Sequence, residues 1–255
     1  MRVLELSIVV PAYNEEKRLP GCLDALKEFS RSWPAGVEVL VVDDGSKDGT
    51  RQIAQAASLS FHEAGVRYRV LQHQNNQGKG AAVRTGILAS TGSVVIFTDV
   101  DLAAPVSEFG KLVQAIGKGA DVAVGSREGV RRTPIRKVTA VIFQRYVKTM
   151  LKLPCVDTQC GLKAFSGHAA RALFGCLTCK GYAFDVEVLA LAVKLGYHIE
   201  PVPVEWREMP GSKVNVFGQG IKMAKEVAQI RKRVCYASIT MSEGIQVIGS
   251  VRVVK

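Results

Sequence analysis

No stretch of the 255-residue chain reaches the roughly 18 uncharged apolar residues that a bilayer-spanning helix needs. Its start, Met1-Arg2-Val3-Leu4-Glu5, runs straight into Leu6-Ser7-Ile8-Val9-Val10. A secretory apolar region would be longer and would lack Glu5, so no signal peptide is expected. The 24 glycines keep no three-residue period, which excludes a collagen-like chain. No G-x-G-x-x-G follows the first apolar run and no G-x-x-x-x-G-K-[ST] occurs, so dinucleotide binding and P-loop nucleotide hydrolysis both lose their phosphate cradle. Histidine is scarce: His62, His73, His168 and His198 do not cluster at metal-ligand spacing, and none is given a catalytic role. Of the six cysteines, Cys176 and Cys179 have CxxC spacing, but Cys155 and Cys160 stand too far apart to complete a zinc site well. Without a secretory signal, free reduced thiols are expected.

Acidic residues are in deficit, 23 against 34 basic, a net charge of +11. Such an excess calls for an anionic partner: nucleic acid, a phosphorylated ligand or an anionic membrane. The excess is local. Arg127, Arg131, Arg132, Arg136, Lys137, Arg145, Lys148 and Lys152 stand against Glu128 alone, and Lys213, Lys222, Lys225, Arg231, Lys232 and Arg233 against Glu226 alone. With 47% hydrophobic residues the chain can bury a large core and is not disordered. We find no repeat, low-complexity tract or linker and expect one domain over 1–255, with a ligand-binding half over about 1–125 and a second half over about 126–235.

The first half alternates strand and helix patterns. Leu4–Val10 (closed by Pro11), Val37–Val42, Ser93–Thr98 and Asp121–Gly125 read as buried strands, and Val66–Leu71 as an edge strand. Leu19–Phe29, Thr50–Ser58, Gly80–Ala89 and Val106–Ile116 read as helices. The spacing implies βαβ units, hence an α/β, Rossmann-like, mostly parallel sheet with helices on both faces. Pro134–Leu151 and Gly218–Arg233 read as basic amphipathic helices, surfaces suited to core packing or to anionic headgroups. Phe184–Leu195 reads as a helix and Ile199–Val204 as a strand, giving a mixed second half. Residues 239–255 alternate weakly and receive no assignment.

Parallel sheets bind ligands beyond the carboxyl ends of their strands. Those ends carry Glu15, Asp43-Asp44, Asp99-Val-Asp101 and Gly125-Ser-Arg127. Two carboxylates one residue apart at a strand end make a hard oxygen site suited to Mg2+ or Mn2+. Three acidic clusters on one sheet edge would repel one another unless a cation or ligand donors paired them. The same carboxylates would repel nucleic acid, so no nucleic-acid partner is expected. The alternative role of such residues is turn formation and helix capping, which suits Ser46 and Asp48 before Thr50.

Five segments occur in order: Ile8-Val-Val-Pro-Ala-Tyr-Asn-Glu15, Val41-Val-Asp-Asp-Gly-Ser46, Asn76-Gln-Gly-Lys-Gly80, Asp99-Val-Asp101 and Gly125-Ser-Arg127. Together they resemble the family 2 glycosyltransferases of the GT-A fold, over roughly residues 4–217. Asp157-Thr-Gln-Cys-Gly-Leu-Lys-Ala-Phe165 and Gly211-Ser-Lys213 are similar to the dolichyl-phosphate glucosyltransferase branch, with the mannosyltransferases as near relatives. The eukaryotic glucosyltransferases carry an N-terminal membrane helix, and with the first strand pattern starting at Leu4 none is expected here.

The resemblance implies a nucleotide-sugar donor, bound by the half over about 1–125, and a polyprenyl (dolichyl or undecaprenyl) phosphate acceptor, bound by the half over about 126–235. It implies inverting transfer of glucose from UDP-glucose, at the cytoplasmic face of a membrane to which the protein binds peripherally. Mannose from GDP-mannose, or a soluble hydroxyl acceptor, are the alternatives. By the same resemblance Pro11, Tyr13 and Glu15 form the base pocket, Asp43 or Asp44 binds base or ribose, and Lys79 joins the nucleotide set. Asp99 and Asp101 hold the metal on the diphosphate. Arg127 and Arg136 hold the acceptor phosphate, Arg207 and Lys213 lie near the donor diphosphate, and Gln159 faces the sugar. Trp206, beside Arg207, is a further candidate for lining the site.

Overall fold

The computed structural model describes residues 5–127, 145–147, 149–151, 157–207, 216–236, 240–242, 245–248 and 251–254. Strands β1 (Leu6–Ala12), β2 (Val37–Asp43), β3 (Arg67–Gln72), β4 (Val94–Thr98), β5 (Val122–Ser126), β6 (Leu162–Ser166) and β7 (Ile199–Pro203) form one sheet in the order β3-β2-β1-β4-β6-β5-β7. Helices α1 (Leu19–Ser32), α2 (Thr50–Ala56), α3 (Ser58–Glu63), α4 (Lys79–Ala89) and α5 (Phe109–Gly117) connect the first five strands, with a short 3-10 turn at Val106–Glu108. Then come α6 (Gly167–Cys176), α7 (Phe184–Lys194) and α8 (Val216–Tyr236). The α/β class with a mostly parallel sheet is as expected, and the second half is mixed.

Alternation of side chains along the buried strands divides the core by sheet face. Val9, Leu40, Val42, Val95 and Phe97 pack with Ala82, Val83 and Ile87 of α4, Leu173 and Phe174 of α6, and Phe184, Val188 and Leu191 of α7. Ile8, Val10, Val39, Val41 and Ile96 pack on the other face with Leu19, Leu23 and Leu26 of α1, Phe61 of α3, and Phe109 and Leu112 of α5. Each fully buried side chain of this kind contributes roughly 1.5–3 kcal/mol. The strand β3 pairs with β2 alone, and its half-exposed pattern is that of an edge.

Three expectations change. Pro11 does not close β1: the ladder to β4 ends at Val9↔Phe97, and beyond it β1 pairs with β2 alone through Ala12↔Asp43, a one-sided setting that tolerates proline. The helix expected over Thr50–Ser58 ends at Ala56, and α3 follows as a separate helix that buries Phe61 and stacks it on Tyr68 at 4.4 Å. Leu162–Ser166, given no secondary structure from its sequence, is a central strand antiparallel to both β4 and β5. Its last residue, Ser166, caps α6 by accepting from the Ala169 N–H.

Of Pro134–Leu151, residues 145–147 and 149–151 are described and are helical; the remainder lies outside the described residues. The tail forms its own antiparallel sheet of β8 (Thr240–Ser242), β9 (Ile245–Ile248) and β10 (Val251–Val254).

Candidate active site

Strands β1, β2, β4, β5 and β7 run in one direction, so their carboxyl ends share one edge of the sheet. Reversed β6 brings its amino end to that same edge, with Thr98 opposite Leu162. Strand order reverses between β1 and β4, the switch point where a crevice opens in such sheets. The segments after β1 and β4 therefore lie side by side, joined on their flanks by the chain after β2, β5 and β7 and before β6.

The segments after β1 and β2 are zipped together. Asn14, in the left-handed region at φ 54°, receives the Lys47 N–H on its side-chain oxygen at 2.8 Å and donates its own N–H to Ser46 Oγ. The Glu15 N–H donates to Thr50 Oγ1 at 2.7 Å. The Glu15 carboxylate takes a two-point contact from Arg18 at 2.8 and 3.2 Å. Pro11 ends half-buried within β1, and Tyr13 is exposed beyond it.

Asp43 and Asp44 point to opposite sides. Asp43 is buried and accepts from the Ser46 N–H, while its Oδ2 has no partner among the described residues. Asp44 has its oxygens filled: His73 Nδ1 lies 2.6 Å away, and the N–H groups of Gln77 and Gly78 and the Asn76 amide donate at 2.8–2.9 Å. Asp44 is thus the post to which the Asn76–Gly80 segment is tied. The next amides of that segment, Gly80 and Ala81, donate to the Lys180 carbonyl. The N–H groups of Gln77, Gly78, Gly80 and Ala81 are thereby engaged within the protein rather than turned to a phosphate. Gly78 stands at φ 105°, and a Cβ there would lie 2.4 Å from the Lys180 oxygen, so neither the backbone angle nor the space admits a side chain.

This tied segment fixes Lys79 as the first residue of α4 and aims it at the paired aspartates. Its Nζ lies 2.6 Å from Asp99 Oδ1. Burial would lower the lysine pKa, but Asp99 and Asp185 outweigh it and hold the ammonium above its ordinary value. Burial and then Asp99 push the Asp101 carboxyl up, against the opposing pull of the Ala103 N–H, Lys79 and Arg18. Burial and then Asp101, Asp99 and Glu15 together push the Cys22 thiol of α1 up to about 12. Glu15 follows β1, and Asp99 and Asp101 follow β4, its parallel neighbour, so the three carboxylates stand at one edge of the sheet. Leu102, at φ 46°, turns the chain back so that its N–H reaches the Asp99 carbonyl.

Beneath Lys79 lies a buried pair that sequence reasoning missed. Lys163 of β6 is fully buried, donates to Asp185 at 2.7 Å and to the Cys160 carbonyl at 2.7 Å, and sits 5.3 Å from the Phe97 ring centroid. Burial raises the Asp185 carboxyl, with Lys163 and Lys79 pulling it back. The available signal was a lone lysine in Leu162-Lys-Ala-Phe165 and two acids, Asp185 and Glu187, in an otherwise apolar helix.

On the other flank Arg127 forms a two-point ion pair with Asp157 and lies over Trp206, 4.9 Å from its ring centroid. Asp157 then leads through a turn to Gly161, where a Cβ would meet Asp99 Oδ2 at 2.3 Å and the Trp206 ring at 3.6 Å. Trp206 therefore lines the site. Arg207 binds back through its N–H to the Ala103 carbonyl at 2.7 Å, while its exposed guanidinium pairs with Glu205. Gln159 is half-buried beside Met223 of α8. Arg136 and Lys213 lie outside the described residues.

Asp99 and Asp101 supply hard oxygen donors, and among the described residues no third ligand-type side chain joins them. An ammonium already seated on Asp99 acts as a stand-in cation, so the donor set fits a Mg2+ or Mn2+ ion whose other positions are filled by water and phosphate oxygens. When bound, such an ion supplies Lewis-acid stabilisation of a departing diphosphate.

The family model for Glycosyl transferase family 2 matches residues 7–171. The chain is 35% identical to the dolichyl-phosphate β-glucosyltransferase of Dictyostelium discoideum, covering 89% of this chain and 74% of that protein. It is 37% identical to the Drosophila melanogaster enzyme over the same shares and 35% identical to the human one, covering 90% and 75%. Among solved structures, glucosyl-3-phosphoglycerate synthase of Mycobacterium tuberculosis, in complex with Mn2+, UDP and phosphoglyceric acid, superposes with a TM-score of 0.66 at 22% identity, covering 95% of this chain and 81% of that one. That likeness carries the fold, which is GT-A. Acidic strand ends at the sheet's switch point, the matched family model and relatives named as transferases agree: the chain is a glycosyltransferase and belongs to glycosyl transferase family 2.

Proposed function

We propose that the protein moves glucose from UDP-glucose to a dolichyl or related polyprenyl phosphate, with inversion, at the cytoplasmic face of a membrane. The observation that carries this reading is that Glu15, Asp99 and Asp101 follow the adjacent parallel strands of the β1/β4 switch point, with Lys79 seated on Asp99. The likeness to dolichyl-phosphate β-glucosyltransferases supports the sugar and the lipid acceptor.

Pro11, Tyr13 and Glu15 stand where a nucleoside would enter, and Asp43, buried at the end of β2 with an Oδ2 that has no partner among the described residues, would accept a base N–H. Asp44 contributes indirectly, by holding the loop that carries Lys79. Asp99 and Asp101 would hold the divalent ion, which stabilises the diphosphate as the glycosidic bond breaks. Lys79, Arg207 and Lys213 add positive charge around the same group. Gln159, next to the turn that touches Asp99, faces the sugar.

A phosphate monoester has its second pKa near 6. It is largely dianionic at neutral pH and attacks without a general base. What it needs is cations that overcome repulsion between two anions, and Arg127 and Arg136 supply them. Arg127 must exchange Asp157 for the acceptor phosphate, a swap of one anion for another at an unchanged guanidinium. A single displacement by that oxygen inverts an α-linked donor to a β-linked product.

The test is transfer of radiolabelled glucose from UDP-glucose into an organic-extractable, acid-labile lipid in the presence of polyprenyl phosphate and Mn2+, with GDP-mannose as rival donor. Label should enter the lipid, and Asp101→Asn should lower the rate at least about a hundredfold. Label confined to water-soluble product would overturn the lipid acceptor, and preference for GDP-mannose the sugar.

A further inference from the structure

We infer that Lys79 is a resident counter-ion on the metal-binding aspartate, and that its departure couples divalent-ion binding to the arrival of the donor diphosphate. The inference rests on the proposed donor site and assigns to Lys79 a role beyond contact with nucleotide.

Position is the first argument. Lys79 opens α4, and a cation at a helix N-terminus is opposed by the helix dipole. Local helix energetics do not place a lysine there; its ion pair to Asp99 does, at 2.6 Å. The second argument is rigidity. The backbone on both sides of Lys79 is pinned, by Asp44 at Gln77 and Gly78 and by the Lys180 carbonyl at Gly80 and Ala81. The side chain alone can move, and it is 21% exposed against 30% for Asp99. The pair is open to incoming ligands.

The third argument is local charge. Asp99, Asp101 and Asp185 carry three negative charges against Lys79 and Lys163, and Arg18 already answers Glu15. A divalent ion arriving alone must displace the Lys79 ammonium from Asp99. Asp185 offers the ammonium poor refuge, because it is buried and held by Lys163 at 2.7 Å. A nucleoside diphosphate removes the conflict: it gives the ammonium an anion and gives the ion phosphate oxygens. Ion and diphosphate then favour each other's binding, and the coupling is reciprocal.

The experiment is titration of Mn2+ alone into the whole protein, followed by the EPR signal of free Mn2+, with and without UDP. Wild type, Lys79→Met and Lys79→Gln are compared, with Lys118→Met as a charge-matched control on the exposed end of α5. Without UDP, both Lys79 variants should bind Mn2+ about tenfold tighter than wild type, and the factor by which UDP improves Mn2+ binding should shrink. Lys118→Met should behave as wild type. If Mn2+ alone binds the Lys79 variants no tighter than wild type, or the UDP effect is unchanged, the counter-ion role fails while the donor site stands. If wild type takes up no Mn2+ with or without UDP, the proposed donor site fails and this inference with it. Thermal melts of both variants confirm folding before the titration.

Discussion

At the scale of single residues, the buried charges of this molecule serve two different ends. Those at the carboxyl edge are held in mutual tension, as Asp101 shows by being pushed up by burial and by Asp99. Glu38, on β2 toward the opposite edge of the sheet, is held the other way. Burial would raise it, but Ser7 at 2.8 Å, the Thr91 N–H and hydroxyl, and Arg69 at 3.3 Å outweigh burial and lower it from 4.5. A carboxyl whose folded pKa is depressed contributes stability that is complete above its unfolded pKa and disappears as pH falls through the depressed value. Glu38→Gln should therefore cost about 1–3 kcal/mol at pH 7. It should also flatten the melting temperature against pH below about 4.5, the ordinary value of this group. Equal pH slopes for wild type and variant would remove Glu38 as a source of acid sensitivity.

At the scale of elements, the order of strands and helices through β5 was legible because each strand is a short apolar run and each helix has one apolar face. The carboxylates that end those strands were legible for the same reason, since the topology assigns an address to whatever follows a parallel strand. What escaped was β6. Its direction is set by pairing with β4 and β5, distant in sequence, and its lysine disguised the apolar pattern. The roles of Asp44 and Asp157 escaped too: a carboxylate spent on backbone donors or on an arginine looks, in a sequence, like one free to meet a ligand. The Asn76–Gly80 segment was legible as a glycine-rich stretch without the P-loop pattern, but not as a loop whose N–H groups at Gln77, Gly78 and Gly80 are taken by Asp44 and Lys180. Gly78→Ala tests this element. The positive φ and the 2.4 Å approach to the Lys180 oxygen should cost about 1–3 kcal/mol and weaken UDP binding by shifting Lys79. Unchanged melting temperature and UDP affinity together would show that the tie is dispensable.

At the scale of the whole molecule, a net charge of +11 is shared unevenly. Lys225, Arg231 and Lys232 are exposed on α8, and among the described residues no helix is long and apolar enough to cross a membrane. Contact with anionic headgroups contributes roughly 1 kcal/mol per cation near the surface. The doubly substituted Lys225→Glu/Lys232→Glu protein should lose at least about 2 kcal/mol of binding to vesicles containing phosphatidylserine, with binding of wild type falling as salt rises. Cosedimentation with such vesicles, against vesicles of phosphatidylcholine, measures it. Equal binding by both proteins would rule out α8 as a membrane-binding surface.

The fork between Arg127 and Asp157 has an evolutionary corollary. It ties the point where the chain leaves the sheet after β5 to the point where it returns before β6, so relatives that keep both residues keep one spacing between those points. With acceptor binding proposed for Arg127 and Arg136, chimaeras cut at these two anchors should inherit the acceptor preference of the transplanted stretch.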